Sequence, residues 1–171
     1  VLVPDPTILL EPSVYRSLYI NEHCKKIDKK YILLYILSNQ CDFDYDSISQ
    51  FAKSKDLEII YVTGNGVIDK YKKEFVTIPE WLSYIDNAEY VITNSFHGTV
   101  FSLLFNKQVG VLKLTGNYQS MNSRFDSLFR LFNIEPRYIQ KNIFSILDNK
   151  YVKKCNKKIE ILTLLSGSFQ N

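Results

Sequence analysis

The sequence predicts an α/β protein whose sheet is mostly parallel and carries helices on both faces. Short apolar segments alternate along the chain with segments whose apolar residues recur at helical spacing. This alternation is typical of βαβ units with right-handed crossovers. The first apolar segment, YILLYIL at residues 31–37, is continuously apolar, as expected of a strand buried on both faces of a parallel sheet. A Rossmann-like domain satisfies these observations.

The composition fits one globular domain over residues 1–171. The chain is 46% hydrophobic and 23% charged, and 171 residues can bury a sizeable core. A net charge of +3, spread along most of the chain, does not indicate nucleic-acid binding. Three cysteines without a Cys-x-x-Cys spacing argue against a disulfide framework and against a zinc site, so we expect no metal.

The first half of the chain supplies the start of this fold. Residues 1–30 form an amino-terminal segment, with three prolines in the first twelve residues and then a mixed stretch that could be helical. The strand at 31–37 follows. Next come a helix over residues 45–53 and a strand, LEIIYVT, over residues 57–63.

The second half continues the alternation. Pro79 suits the first turn of a helix over residues 79–86, in which Trp81, Leu82 and Ile85 share one apolar face. The remaining predicted elements are strands at 89–93 and 108–114, helices at 98–105 and 123–133, and one or two carboxyl-terminal helices within residues 138–171.

The chain lacks an initiator methionine, and its sole methionine is Met121. We therefore expect it to be a piece of a longer protein. No signal peptide is visible, and the longest apolar run is too short to span a bilayer, so we expect a cytoplasmic location. A lysine cluster over residues 150–158 could be a solvated helix face or could contact an anionic polymer or membrane surface, which leaves peripheral association with the inner face of the membrane open.

The strongest functional candidate is the stretch TNSFHG, at the end of a predicted strand and the start of a predicted helix. Ligands of open parallel sheets gather at this edge, and a helix N-terminus attracts phosphate or carboxylate groups. Asn94 and Ser95 could cap the helix or donate to a ligand, and Gly98 would allow a ligand to approach the backbone. His97 could bind an anion or transfer a proton. In the alternative interpretation, Ser95 is merely a cap and His97 packs in the core.

A second candidate is the loop KLTGNYQSMNSR at residues 113–124, which opens on the same edge if the sheet is parallel. Lys113, Asn122, Ser123 and Arg124 could contact an anion there, and Arg124 could bind it through two hydrogen bonds. Alternatively, Asn122 caps the following helix and Arg124 is a surface charge.

Other stretches are weaker. VTGNG at 62–66 lacks the full glycine pattern of a phosphate-binding loop and fits a plain turn. CDFDYDS at 41–47 has aspartates at calcium-loop spacing but lacks the required glycine and the final acidic residue, so a solvated loop with capping aspartates is favoured. His23 lies in a polar stretch with nothing to mark it.

Two stretches, IPEWLSYIDNAEYVITNSFHGTVFSLLFNKQVGVL and MNSRFDSLFRLFNI, resemble the carboxyl-terminal half of the polysaccharide pyruvyl transferase family. PDPTILL and YILLYIL fit the start of that half. The resemblance implies a second Rossmann-like domain of a glycosyltransferase-B-like architecture, with the missing amino-terminal domain supplying much of the acceptor site. It also implies transfer of the enolpyruvyl group of phosphoenolpyruvate to two hydroxyls of a sugar, on a glycan or lipid-linked acceptor, without a metal or nucleotide cofactor.

Within this resemblance, His97 is the candidate for anion binding and acid catalysis. The turn of Asn94, Ser95 and Gly98 would hold the phosphate or carboxylate, and Arg124, with Lys113, would add positive charge. Some similar proteins have an Arg-Leu pair before the histidine, where Ser95 and Phe96 stand here, so that cation must come from elsewhere. Two alternatives stay open: a glycosyltransferase that uses a nucleotide sugar, and a non-catalytic anion- or sugar-binding module.

Overall fold

The computed structural model of the chain describes residues 5–22, 24, 27–41, 43–64, 67–140 and 145–148. Several features named above lie outside these residues: His23, Asp42, the Asn65–Gly66 pair of VTGNG, and everything from residue 149 onward, including the lysine cluster and Cys155.

Four parallel strands form the sheet. They are β1 (Tyr31–Ile36), β2 (Glu58–Thr63), β3 (Tyr90–Thr93) and β4 (Gln108–Val111), in the spatial order β2-β1-β3-β4. Leu33 of β1 lies opposite Ile60 on one side and Val91 on the other. The predicted α/β fold with a parallel sheet is therefore confirmed.

Six α-helices belong to the described residues, and their first turns show clear sequence signals. They are α1 (Pro12–Ser17), α2 (Tyr45–Ser54), α3 (Ile78–Asn87), α4 (Phe96–Leu104), α5 (Asn122–Leu131) and α6 (Ser145–Asp148), with 3-10 helices at Pro6–Leu9 and Gly116–Met121. Asp44 caps α2 by accepting from the backbone N–H groups of Asp46 and Ser47. Thr77 and Glu80 form a capping box at the start of α3.

The helices cover both faces of the sheet, as predicted. Side chains alternate along β1, so that Tyr31 and Leu33 join one core with residues of α1, α3, α4 and α5. Ile32, Leu34 and Ile36 join the other core with residues of α2 and α6. The continuous apolar run of this strand is explained by these two cores.

Several predicted boundaries are wrong. Strand β4 ends at Val111 rather than at residue 114, because Leu114 leaves the strand direction to form an antiparallel bridge with Cys41. The predicted carboxyl-terminal helical region does not begin at residue 138. Tyr138 instead pairs in parallel with Val111, and the backbone N–H of Ile139 donates to the Val111 carbonyl over 2.9 Å.

The amino-terminal segment packs against the domain that follows it. Helix α1 ends at Ser17, earlier than a helix over the whole mixed stretch would. Arg16 then binds Asp86 of α3 through two hydrogen bonds of 2.6 and 3.0 Å, and the hydroxyl of Tyr19 donates to the same carboxylate over 2.5 Å. None of the described helices combines the length and apolar character needed to cross a membrane.

Candidate functional site

The strand order places a crevice at the carboxyl ends of β1 and β3. The chain leaves β1 toward β2 on one side, and β3 continues toward β4 on the other side. Neighbouring strands whose connections diverge in this way leave an opening where parallel sheets bind ligands. Helix α4 begins directly at this opening, so the TNSFHG stretch lies where the sequence predicted it.

Asn94 ties the two strand ends together. Its side-chain oxygen accepts from the backbone N–H of Leu37 over 2.8 Å, and its side-chain nitrogen donates to the carbonyl of Ser38 over 2.7 Å. The residue is only 4% exposed. The amide therefore holds the loop after β1 against the end of β3, and its direct binding of an anion stays a prediction.

Ser95 and Gly98 build the first turn of α4. The Ser95 hydroxyl accepts from the backbone N–H of Gly98 over 3.2 Å, which is the capping role considered for it. A Cβ at Gly98 would lie 2.8 Å from the Thr93 hydroxyl and 2.9 Å from a ring carbon of Tyr35. Gly98 thus lets the helix approach the sheet closely, a different reason from the predicted access for a ligand.

The helix starts two residues earlier than predicted because Ser95 is its cap, and His97 consequently lies in the first helical turn. No described residue offers an acceptor to the backbone N–H groups of Phe96 and His97, as is usual for a first turn. These donors and the positive end of the helix dipole favour an anion here.

His97 is exposed and does not pack in the core. Its side chain is 55% exposed, and its Nε2 atom lies 3.5 Å from a carboxylate oxygen of Asp5. Its ring meets the ring of Phe96 edge-on, with 5.6 Å between centroids. The alternative interpretation of a buried packing histidine is therefore wrong.

Arg124 lies on the same edge, on the first turn of α5. Its guanidinium carbon lies 4.1 Å from the centroid of the Phe96 ring, a distance at which a cation and an aromatic face attract each other. This contact holds an otherwise exposed cation beside the start of α4. The predicted meeting of the two loops is confirmed for His97 and Arg124.

Two cavities open on this edge, and His97 lines both. The first, of about 290 Å³, is bordered by the loop after β1, the start of α4 and the region around Arg124. Its lining comprises Leu37, Ser38, Asn94, Ser95, Phe96, His97, Leu114, Tyr118, Met121, Arg124 and Phe125. The second, of about 510 Å³, is more aromatic and includes Tyr35, Phe75 and Trp81.

Four predicted site residues line neither cavity: Gly98, whose packing on the sheet is described above, and Lys113, Asn122 and Ser123. The Lys113 ammonium lies 4.6 Å from the centroid of the Tyr138 ring, away from the opening. The Asn122 amide pairs with both backbone groups of Leu114, over 3.0 and 2.9 Å, so it neither caps α5 nor faces the cavity. The hydroxyl of Ser123 donates to the carbonyl of Ser120.

Asp5 is the charged neighbour that the sequence analysis missed. Partial burial favours its neutral acid, but hydrogen bonds from Thr7 and the nearby charges of His97 and Arg124 outweigh this effect and lower the pKa of Asp5. The available signal was the Asp-Pro pair, since aspartate followed by proline commonly begins a helical turn. Nothing in that signal indicates a contact with His97.

The described residues hold no group of three His, Cys, Asp or Glu side chains that could bind a metal ion. On this edge the charged side chains of His97, Arg124 and Asp5 lie close together beside the N-terminus of α4. The guanidinium of Arg124, the imidazole of His97 and the free N–H donors around a cavity of about 290 Å³ can hold a small anion.

Comparisons with known proteins concern the family and the fold of the chain. A sequence model of the family described as polysaccharide pyruvyl transferase matches residues 1–114. No curated protein sequence matches the chain. Among solved structures, the chain resembles the glycotransferase of kitacinnamycin, with a TM-score of 0.52 and 13% identity over 85% of this chain and 42% of that one. It also resembles the glycosyltransferase SnogD from Streptomyces nogalater, with a TM-score of 0.49 and 10% identity over 84% of this chain and 42% of that one.

At such identities the likeness concerns the fold alone. The first of these structures confirms the predicted resemblance to a domain of the glycosyltransferase B architecture. The chain spans less than half the length of either structure.

Proposed function

This chain belongs to the polysaccharide pyruvyl transferase family, and on that basis we propose that the smaller cavity beside His97 and Arg124 binds phosphoenolpyruvate. The whole protein would transfer the enolpyruvyl group to a sugar residue of a surface polysaccharide and leave a cyclic ketal. The observation that carries this proposal is the convergence of His97, Arg124 and the open N-terminus of α4 on one cavity.

The donor's charges match this cavity. Phosphoenolpyruvate carries a phosphate and a carboxylate, so its binding needs several donors and at least one fixed cation. Arg124 can contact one of these anions through two hydrogen bonds, and the N–H groups of Phe96 and His97 can contact the other. Lys113 and Ser123 would take part only if their side chains turned toward the cavity.

The reaction needs a proton at a defined atom. A sugar hydroxyl adds to the central carbon of the enol and loses its proton, while the methylene carbon receives a proton and becomes a methyl group. The carbon–oxygen bond to phosphate then breaks, a second hydroxyl of the same sugar adds, and its proton leaves. We assign the first proton transfer to His97, because an imidazole is the commonest general acid in enzymes and His97 contributes the one imidazole among the described residues that line this cavity.

The second cavity suits the acceptor. His97 lines both cavities, so a sugar in the larger one would meet the donor at this residue. Tyr35 and Trp81, whose rings lie 5.3 Å apart, offer aromatic faces to a sugar ring. A further domain of the whole protein would complete the acceptor site, and no nucleotide or metal takes part.

Binding of the donor can be measured on this chain. Phosphoenolpyruvate at a hundredfold excess over Kd should stabilise it by about 2.7 kcal/mol, which raises Tm by roughly 5–10 °C for a domain of this size. Arg124→Gln should weaken binding about tenfold or more, since it removes charge-assisted hydrogen bonds. Arg130→Gln is the matched control, because Arg130 is an exposed arginine of the same helix that does not line the cavity.

Parallel titrations with UDP, GDP and CMP sugars test the alternative. A chain that ignores phosphoenolpyruvate but is stabilised by a nucleotide sugar would be a glycosyltransferase, and the proposal would be wrong. In the full-length protein, His97→Gln should abolish acceptor-dependent phosphate release from phosphoenolpyruvate while donor binding remains measurable. Unchanged phosphate release in this variant would remove His97 from the reaction.

A further inference from the structure

Asp5 is held rigidly beside His97 by its own segment. One oxygen, Oδ1, accepts from the backbone N–H of Thr7 over 3.0 Å and also from the Thr7 hydroxyl. The other oxygen, Oδ2, faces His97 Nε2 at 3.5 Å. The Thr7 carbonyl in turn accepts from the hydroxyl of Tyr15 over 2.9 Å, and Ile8 is buried in the core. The carboxylate is therefore oriented before any ligand arrives.

The two carboxylate oxygens of Asp5 contact different partners. Because Oδ1 is taken by Thr7, only Oδ2 is directed at the imidazole. The Asp5 side chain is 18% exposed, so solvent screens the contact less than it would at the open surface. The contact has the distance of an ion pair and not of a formed hydrogen bond. Because a carboxylate oxygen can only accept, a neutral imidazole facing it is favoured with its proton on Nε2.

We propose that Asp5 is a positioning residue: it fixes the ring of His97 with its proton on Nε2, and thereby leaves Nδ1 as the nitrogen that meets the bound donor. The assignment of Nδ1 to the reaction rests on the proposed function, whereas the orientation of the ring does not. No described residue bonds to Nδ1. The 3.5 Å separation is at the long end of an ion pair, as is common for catalytic contacts before substrate binds.

Arg124 adds a second positive charge beside Asp5 and His97. It acts on Asp5 together with His97, and the three side chains carry a net positive charge when His97 is protonated. Asp5 thus supports the imidazolium without cancelling the attraction for an anion. The other neighbour of the ring, Phe96, carries no charge.

The substitution Asp5→Asn tests the orientation directly. Asparagine is also a good capping residue, and its oxygen must face the Thr7 N–H, so its NH₂ group replaces Oδ2 in front of Nε2. An N–H donor there requires Nε2 to accept, which moves the proton of the neutral ring to Nδ1. Asp5→Asn should therefore invert the tautomer. The Nδ1–H form expected in the variant is the one that a free histidine side chain disfavours.

Nitrogen-15 NMR of the histidine rings at alkaline pH measures this tautomer on the chain itself. The chain has two histidines, His23 and His97, and His97→Gln assigns the signals. We expect Nε2–H for the wild type, Nδ1–H for Asp5→Asn, and the wild-type pattern for Asp44→Asn, which changes a capping aspartate at the start of α2 that lines neither cavity. The same tautomer in the wild type and in Asp5→Asn would overturn the proposal.

Turnover in the full-length protein provides the second measurement. In Asp5→Asn, an amide N–H facing Nε2 opposes the doubly protonated ring, so kcat should fall roughly 10²-fold while KM for phosphoenolpyruvate changes less than about threefold. A loss of Tm equal to that of Asp5→Ala, with kcat unchanged, would make Asp5 a mere cap and refute its positioning role. An inverted tautomer in a protein that never consumes phosphoenolpyruvate would instead support the orientation and refute the proposed function.

Discussion

The substitution of Asn94 tests whether the side-chain amide at the ends of β1 and β3 contributes to the free energy of unfolding. The substitution Asn94→Ala removes three hydrogen bonds: one from the Leu37 N–H, one to the Ser38 carbonyl, and one of 3.3 Å to the sulfur of Cys41. The site is 4% exposed, so water cannot replace all of these partners at once. Leaving a buried backbone group unpaired costs about 1–3 kcal/mol, so the Leu37 N–H and the Ser38 carbonyl together should cost about 2–6 kcal/mol.

Urea denaturation followed by far-UV circular dichroism measures this change. Thermal denaturation reports the same change as a lower Tm, by roughly 2–4 °C for each kcal/mol in a domain of this size. Asn94→Asp separates the hydrogen bond to Leu37 from the one to Ser38. A carboxylate still accepts from the Leu37 N–H but repels the Ser38 carbonyl. Asn94→Asp should destabilise the protein about as much as the alanine variant above the pKa of the new carboxyl.

The matched control is Asn87→Ala. The amide of Asn87 also donates to a backbone carbonyl, that of Ser83, over 2.8 Å, but it is exposed at the end of α3. Its loss should cost less than about 0.5 kcal/mol. If Asn94→Ala cost no more than this control, the bridge between β1 and β3 would not stabilise the fold, and the amide would be free for a ligand.

Three further changes follow from packing and charge. Gly98→Ala should cost about 1–3 kcal/mol, measured by urea denaturation, because the new methyl group would lie 2.8 Å from the Thr93 hydroxyl; a loss below about 0.5 kcal/mol would contradict this close packing. Gly116→Ala should cost about 1 kcal/mol, because Gly116 has a φ of +57°; unchanged Tm would show that the turn relaxes. Burial raises the pKa of Asp86, but hydrogen bonds from Arg16 and Tyr19 outweigh this effect, so the pKa is lowered overall. The carboxylate therefore stabilises the fold fully above its unfolded pKa of about 3.9. This stabilisation is lost as pH falls through the lower pKa of the folded state. Asp86→Asn should therefore cost about 1–2 kcal/mol at pH 7. It should also lose less stability than the wild type between about pH 4 and pH 2. Parallel acid titrations of both proteins measure this, and equal losses in the two proteins would contradict it.

The sheet was predictable because its signals are local. A continuous apolar run such as YILLYIL can be buried only between two layers, and the structure places its alternate residues in two cores. The ends of elements were less predictable, because they depend on distant partners. Val111 ends β4 since Leu114 meets Cys41, and Tyr138 extends the sheet instead of starting a helix. Neither pairing leaves a mark in the sequence around it.

In the candidate site, too, features that follow from the strand order were predictable, and features that depend on distant contacts were not. His97 and Arg124 were predicted to share an edge, and they do, since parallel strands bring the loops that follow them together. The roles of Asn94 and Asn122 were not predictable, because an amide can bind a ligand or a backbone group equally well, and only the fold shows that Leu37, Ser38 and Leu114 are within reach. Asp5 was missed because its contact with His97 joins distant parts of the chain.

The exposure of His97 follows from the residue beside it. Because Gly98 has no side chain, the first turn of α4 can lie directly on Thr93 and Tyr35, and the side chain that precedes it, His97, is left 55% exposed. A larger residue at that position would lift the helix and tilt His97 away from one of the two cavities that it now lines. The close packing of Gly98 on the sheet and the proposed catalytic role of His97 therefore depend on the same turn of α4. For this reason Gly98→Ala should lower turnover in the full-length protein by a larger factor than a substitution of equal thermodynamic cost elsewhere in the core.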